Sequence, residues 1–135
     1  MVLIIAEVGV NHNGDLNNAK KLIDIAAEAG ANVVKFQTFK SEELTTNYAP
    51  LADYQTLNSP ELKNQSLLLK KLQLSEKDHF SLSDYSREKG IEFLSTAFTV
   101  QSVDLLSKIE LKRWKIPSGE INNFPLLKKI ANLNM

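Results

Sequence analysis

The chain has 135 residues, a mass of 15.1 kDa, 43% hydrophobic and 24% charged residues, which fits one soluble globular domain with a real core. Its 16 Lys and Arg balance 16 Asp and Glu, so neither net charge nor a basic cluster offers a footprint for nucleic acid. Cysteine is absent, which excludes disulfides, thiolate metal sites and Cys nucleophiles; the apolar run from Val2 to Ala6 is far shorter than the about 20 residues of a membrane span, and no Lys or Arg precedes it as in a signal peptide. The expected compartment is cytoplasmic, with no membrane and no nucleic-acid partner.

Val2 to Val8 reads as a first strand, β-branched and apolar on both faces as in a buried parallel sheet. Gly9 to Gly14 break it. Asp15 caps a helix whose face is Leu16, Ala19, Leu22, Ile23, Ala26 and Ala29, and Gly30 stops it. Val33 to Gln37 is the second strand, completing one βαβ unit. From Thr38 to about Ser59 the pattern is irregular, and connections of that length are functional or disordered; Tyr48, Tyr54 and Leu57 favour packing. Ser59 and Pro60 read as an N-cap and first residue of a helix carrying Leu62, Leu68, Leu69 and Leu72. Ser75 with Asp78 forms a capping box for the next helix, which ends at Gly90. Ile91 to Thr96 is the third strand. Thr99 caps a helix with Val100, Val103, Leu106 and Ile109. Arg113 to Ile116 reads as a fourth strand, and Asn123 with Pro125 opens a last helix.

Four βα units with buried strands predict a parallel α/β sheet. Two architectures fit: a small doubly wound parallel sheet, or the N-terminal half of a (β/α)8 barrel, whose full length is about 250 residues. The sequence stops just after a helix, where a fifth strand would be due. That favours a single domain over 1–135 that is half of a barrel, with strand edges left open at both ends and no well-behaved monomer.

In such folds ligands bind beyond the C-terminal ends of the strands. Those ends carry Glu7, then Lys35 and Gln37, then Ser95 and Thr96, then Lys115, Ser118 and Glu120. Lys35 and Gln37 are two apart, so they share a face and Phe36 takes the other. Glu7 sits inside an apolar run, where a charge needs a partner or a task; it is either the ion-pair partner of Lys35 or a reacting carboxylate. Taken singly, Lys115 reads as a rim lysine, Ser95 and Thr96 as strand-end hydroxyls satisfying the backbone. His12 reads as a hydrogen-bonded structural residue, His79 as a surface residue and Trp114 as a packing residue. The two histidines show no metal-ligand spacing.

Four motifs match a known family. Ile4-Ile5-Ala6-Glu7-Val8-Gly9-Val10-Asn11-His12-Asn13-Gly14 resembles the opening of the sialic acid synthases. Val34-Lys35-Phe36-Gln37-Thr38-Phe39 resembles their second-strand motif. Phe93-Leu94-Ser95-Thr96-Ala97-Phe98 is similar to the third, with Ala97 where Pro is usual. Lys115-Ile116-Pro117-Ser118-Gly119-Glu120-Ile121-Asn122-Asn123 resembles the fourth. The resemblance covers the whole chain and the first half of the family's aldolase-type TIM barrel.

It implies condensation of phosphoenolpyruvate with an N-acylated aminosugar aldehyde, N-acetylmannosamine or a diacetylated deoxy relative, to a nonulosonic acid and phosphate. It assigns phosphoenolpyruvate binding to Lys35, Thr96, Lys115 and Ser118, catalysis to Glu7 and Glu120, and sugar contacts to Gln37 and Glu120. It further implies a divalent metal, Mn2+ or Mg2+, whose histidine ligands and whose half-barrel and small C-terminal domain lie beyond Met135, and a homodimer in the full-length form. The expectation for this chain alone is no synthase activity. Two other readings remain: a Schiff-base aldolase using Lys35 or Lys115, and a non-catalytic phosphate-binding module.

Overall fold

The computed structural model describes residues 2–58, 62 and 64–133. Three parallel strands form one sheet in the order β1-β2-β3: β1 is Ile5–Gly9, β2 is Val33–Thr38 and β3 is Glu92–Ala97. Helix α1 (Leu16–Glu28) joins β1 to β2. Between β2 and β3 come α2 (Ser41–Leu44), α3 (Asp53–Asn58), α4 (Gln65–Leu72) and α5 (Glu76–Glu88). After β3 follow α6 (Val100–Ser107), a 3-10 turn at Ser118–Glu120 and α7 (Phe124–Ala131). Strands in sequential order have no reversal, so the described sheet lacks the switch point that defines a doubly wound fold.

The helix boundaries follow their capping chemistry. Asp15 accepts the Asn18 N–H at the head of α1, Thr99 accepts the Ser102 N–H at α6, and Asn123 accepts the Leu126 N–H at α7. Ser75 and Asp78 close a reciprocal capping box at α5. Each such cap is worth about 1 kcal/mol, because it satisfies amide groups that the first helical turn leaves without partners.

Alternation along the strands separates two faces. Ala6 and Val8, Val34 and Phe36, Phe93 and Ala97 pack with Ala19, Ile23 and Ala26 of α1, Leu82 of α5, Val103 and Leu106 of α6 and Leu126 of α7. Phe36 and Phe93 stack at its centre, 5.6 Å between ring centroids. A second seam joins α1 to α5 at the surface: the Tyr85 hydroxyl donates to both carboxylate oxygens of Asp24 at 3.0 Å, and Lys89 pairs with the same carboxylate at 2.7 Å.

Four sequence expectations need correction. The first strand spans Ile5–Gly9, not Val2 to Val8, and Val2, Leu3, Ile4 and Ile5 are exposed. Its apolar residues are not buried on both faces because β1 pairs only with β2 among the described strands. Among the described residues there is no fourth strand: Arg113 to Ile116 makes no ladder. Side chains hold that segment instead. Arg113 Nε and Nη2 donate to the two Glu92 carboxylate oxygens at 2.8 and 3.0 Å, and Trp114 packs against the core. The irregular stretch after β2 contains the short helices α2 and α3, and Tyr48 is 93% exposed rather than packed. Phe39 and Ser41 are the buried residues at its start. The next helix starts at Gln65, with Asn64 as its cap accepting the Leu67 N–H. Ser59, Pro60 and the side chains of Tyr54 and Leu57 lie outside the described residues.

Candidate functional site at the strand ends

The ladder between β1 and β2 slips by one residue. Glu7 is opposite Lys35, but Gly9 is opposite Phe36, so Val8 is an extra residue and the strand bulges directly after Glu7. A bulge at a strand end bends the chain and re-aims the side chain beside it. Register places Glu7, Lys35 and Leu94 in one row and Gln37 beside Thr96 one row further toward the C-terminal ends. All five face away from the helices.

Four of the candidate residues converge there. Lys35 pairs with Glu7 through Nζ and Oε2, and the same Nζ donates to Thr96 Oγ1 at 3.4 Å. Glu7 Oε1 and Gln37 Nε2 lie 3.2 and 3.4 Å from the place a Cβ on Gly9 would take, so both reach over the bulge. The Lys35 side chain is 13% exposed, the Glu7 side chain 50%. The ammonium is thus enclosed, while the carboxylate reaches open space above the strand ends. That is a cationic point with one carboxylate, one amide and one hydroxyl around it, a set suited to an anionic oxygen-rich ligand.

The other three candidates sit apart from that cluster. Lys115 is exposed and its Nζ donates to the Ile116 carbonyl at 3.1 Å. Ser118 is exposed on the 3-10 turn. Glu120 accepts from Asn123 Nδ2 at 2.6 Å and, with Phe98, Thr99, Glu43 and Leu44, lines an open hollow beside the strand ends. No hydrogen bond or ion pair joins Lys115, Ser118 or Glu120 to the first four among the described residues.

Behind the site, on the helix face, lies a polar group that local sequence pattern missed. His79 is buried, not at the surface as expected. Its Nδ1 meets the Ser75 carbonyl at 2.8 Å, and an acceptor there requires that Nδ1 carry the proton. Nε2 then accepts from Thr38 Oγ1 at 2.8 Å, and Thr38 in turn accepts from Ser95 Oγ at 2.7 Å. Burial lowers the His79 pKa, against opposing contributions from the Ser75 backbone and Asp78, which keeps the ring in the neutral form this bonding requires. His12 is hydrogen-bonded, as expected, its Nδ1 accepting the Gly14 N–H at 2.9 Å, and it is also buried. Its pKa is also lowered, first by burial and then by His79. The hydroxyl partner of His79 is non-local, since Thr38 comes from β2 and is itself bonded to Ser95 of β3.

Among the described residues no group of three or more His, Cys, Asp or Glu could hold a metal ion, so the side chains present do not fit the implied divalent cation. No described helix is long and apolar enough to cross a membrane.

The profile of the NeuB family matches residues 22–135. The chain is 53% identical over 129 residues to N,N'-diacetyllegionaminic acid synthase of Legionella pneumophila, covering 96% of this chain and 36% of that protein. It is equally 53% identical over 132 residues to the protein of the same name from Campylobacter jejuni, covering 98% and 40%. Among solved structures, N-acetylneuraminic acid (sialic acid) synthetase of Leptospira borgpetersenii, in complex with citrate, superposes with a TM-score of 0.82 at 36% identity, covering 99% of this chain and 42% of that one. The chain therefore spans well under half the length of each of these proteins.

Proposed function

The chain belongs to the NeuB family, and from that membership we propose that the whole protein condenses phosphoenolpyruvate with an N-acylated aminosugar aldehyde to give a nonulosonic acid and phosphate. The observation that carries the reading is the convergence of Glu7, Lys35, Gln37 and Thr96 on one face at the strand ends. The relatives named as sialic and legionaminic acid synthases support the reaction class. Identity of 53% to the two legionaminic acid synthases, against 36% to the N-acetylneuraminic acid synthetase, favours a diacetylated deoxy aminosugar over N-acetylmannosamine.

In this reading the chain supplies the first strands of a (β/α)8 barrel. Lys35 and Thr96 bind the phosphoenolpyruvate anion, and Lys115 and Ser118 close on it from the segment after α6. Carbon 3 of phosphoenolpyruvate attacks the aldehyde carbon, leaving cationic character at carbon 2. Glu7, half exposed beside Lys35, stabilises that carbon or directs the water that adds to it. Water adds to carbon 2, one of its protons ending on the former aldehyde oxygen; phosphate then leaves with its bridging oxygen and the second proton, and the water oxygen becomes the ketone oxygen. Gln37 and Glu120 hold the sugar. A divalent cation, Mn2+ or Mg2+, would polarise the aldehyde, with its ligands in parts of the whole protein other than this chain.

The test is phosphate release from phosphoenolpyruvate by the whole protein with Mn2+, comparing N-acetylmannosamine with the diacetylated deoxy aminosugar. Lys115→Met should raise the phosphoenolpyruvate KM and lower kcat, because a charge-assisted contact is worth about 1.5–3 kcal/mol. Unchanged kinetics remove Lys115 from the site. Covalent trapping of pyruvate by borohydride would replace the reading with a Schiff-base aldolase, and binding of phosphoenolpyruvate without turnover would replace it with a binding module.

A further inference from the structure

We propose that His79 is a positioning residue: through the hydroxyls of Thr38 and Ser95 it ties the C-terminal ends of β2 and β3 to the head of α5, and so holds Gln37 and Thr96 in place on the opposite face. The inference rests on the assignment of Gln37 and Thr96 to the substrate site.

Three observations lead to it. First, the polar positions on the helix side of the sheet are confined to two adjacent rows near its C-terminal end, with Ser95 opposite Phe36 and Thr38 opposite Ala97. The other helix-facing residues of these strands are Ala6, Val8, Val34, Phe36, Phe93 and Ala97, all apolar. Thr38 and Ser95 alone carry hydroxyls, and each is the direct chain neighbour of a site residue, Gln37 and Thr96. Neighbours on a strand point to opposite faces, so a hydroxyl fixed behind the sheet fixes the next side chain in front of it.

Second, the bonding is closed in one direction. The Ser75 carbonyl accepts from His79 Nδ1, His79 Nε2 accepts from Thr38, and Thr38 accepts from Ser95. All three side chains are buried, at 1%, 2% and 0% exposure for His79, Thr38 and Ser95. Buried polar chains rigidify their surroundings when every member is satisfied in this way. Third, the tie lands on the N-cap residue of α5. That helix is where the long excursion after β2 returns to the sheet, so one side chain couples the return of that loop to the two strand ends.

Thr38→Val in the whole protein removes the central hydroxyl at nearly constant shape. At a temperature where the variant is folded, kcat/KM should fall by about tenfold or more, with the phosphoenolpyruvate KM raised through Thr96, since small misplacements at a site cost up to about 10²-fold. Thr38→Ser should restore near-normal kinetics. Nitrogen-15 shifts of His79 should show a neutral ring protonated at Nδ1, with Nε2 changing in Thr38→Val. Should Thr38→Val not fold, Ser95→Ala removes the last hydroxyl of the chain and is held to the same kinetic loss. Wild-type kinetics in a folded Thr38→Val, while Gln37→Ala and Thr96→Ala impair turnover, overturn the positioning role and leave the site intact. Normal turnover in Gln37→Ala and Thr96→Ala overturns the site and the positioning role together. A ring protonated at Nε2 in the wild type overturns the bonding order.

Discussion

Glu7 and Lys35 are register partners on β1 and β2 and close an ion pair on the face turned away from the helices. Burial is unequal, with the ammonium enclosed and the carboxylate half open. The pair is a weak structural device, since a half-exposed ion pair contributes about 0–1 kcal/mol. Glu7→Gln should therefore fold normally and still bind phosphoenolpyruvate in the whole protein, while turnover falls by roughly 10²-fold, the scale of a positioned acid–base group. Calorimetric binding alongside a phosphate-release assay checks both halves. Loss of folding in Glu7→Gln, restored by neutralising Lys35 as well, would hand the pair back to structure.

Arg113 replaces a strand ladder with a fork of two hydrogen bonds to Glu92. The Glu92 side chain is 14% exposed, so removing its partner strands a poorly hydrated carboxylate. Arg113→Met should cost about 1.5–3 kcal/mol in urea unfolding, and Arg113→Lys should recover only part of it, because an ammonium cannot span both oxygens. Equal stability of the lysine variant and the wild type would show that charge alone holds the segment.

Gly14 has a φ of 76°, and a Cβ there would run into the Lys71 carbonyl at the end of α4. Gly30 has a similar φ of 79° with open space around it. Gly30→Ala should cost about 1–2 kcal/mol, the strain of an L-residue in the left-handed region. Gly14→Ala should cost clearly more, and amide exchange in α4 should accelerate. Equal penalties would mean that α4 yields without resistance.

Two buried imidazoles set an acid limit on stability. Both His12 and His79 have pKa values lowered from 6.5, chiefly by burial. On unfolding each regains the ordinary value, so below about pH 6.5 the unfolded state binds protons that the folded state refuses. Stability should be full above that pH and decline as pH falls from about 6.5, well before carboxylates titrate near 4. The groups facing them include Asp78 and, for His79, Glu76, which oppose the shift but do not reverse it. Urea midpoints across pH 5 to 8 check this; a flat profile would place both rings in contact with water.

Elements set by local chemistry were readable from the chain. The caps at Asp15, Ser75, Thr99 and Asn123 and the apolar stripes of α1 and α6 depend on residues a few positions apart. The grouping of Lys35, Gln37 and Thr96 on one face was readable for a similar reason, from the strand-end rule and the period of two, whereas Lys115 and Ser118, expected to converge with Lys35 and Thr96, sit apart. What failed depends on distant partners. Arg113 to Ile116 has strand-like composition, but Arg113 is committed to Glu92 and the segment makes no ladder. His79 has polar neighbours in sequence, but it shares the buried face of α5 with Leu82, Ser83 and Ser86 and finds its side-chain partner in Thr38 of β2.

The two strand pairings differ in how much chain they must close. Ile5 meets Val33 across the short α1 connection, whereas Val33 meets Glu92 across a connection roughly twice as long, which holds four helices among its described residues. Doubling a loop adds only about 0.6 kcal/mol of closure entropy, so the longer excursion is cheap at equilibrium. It weighs differently on the order of assembly. The shorter closure should favour the β1-α1-β2 unit, whose Ile23 and Phe36 share one core cluster, ahead of the docking of β3 on the β2 edge. In that order Thr38 gains its Ser95 partner only when β3 docks, so the candidate site residues Gln37 and Thr96 beside that pair should reach their final geometry at that step.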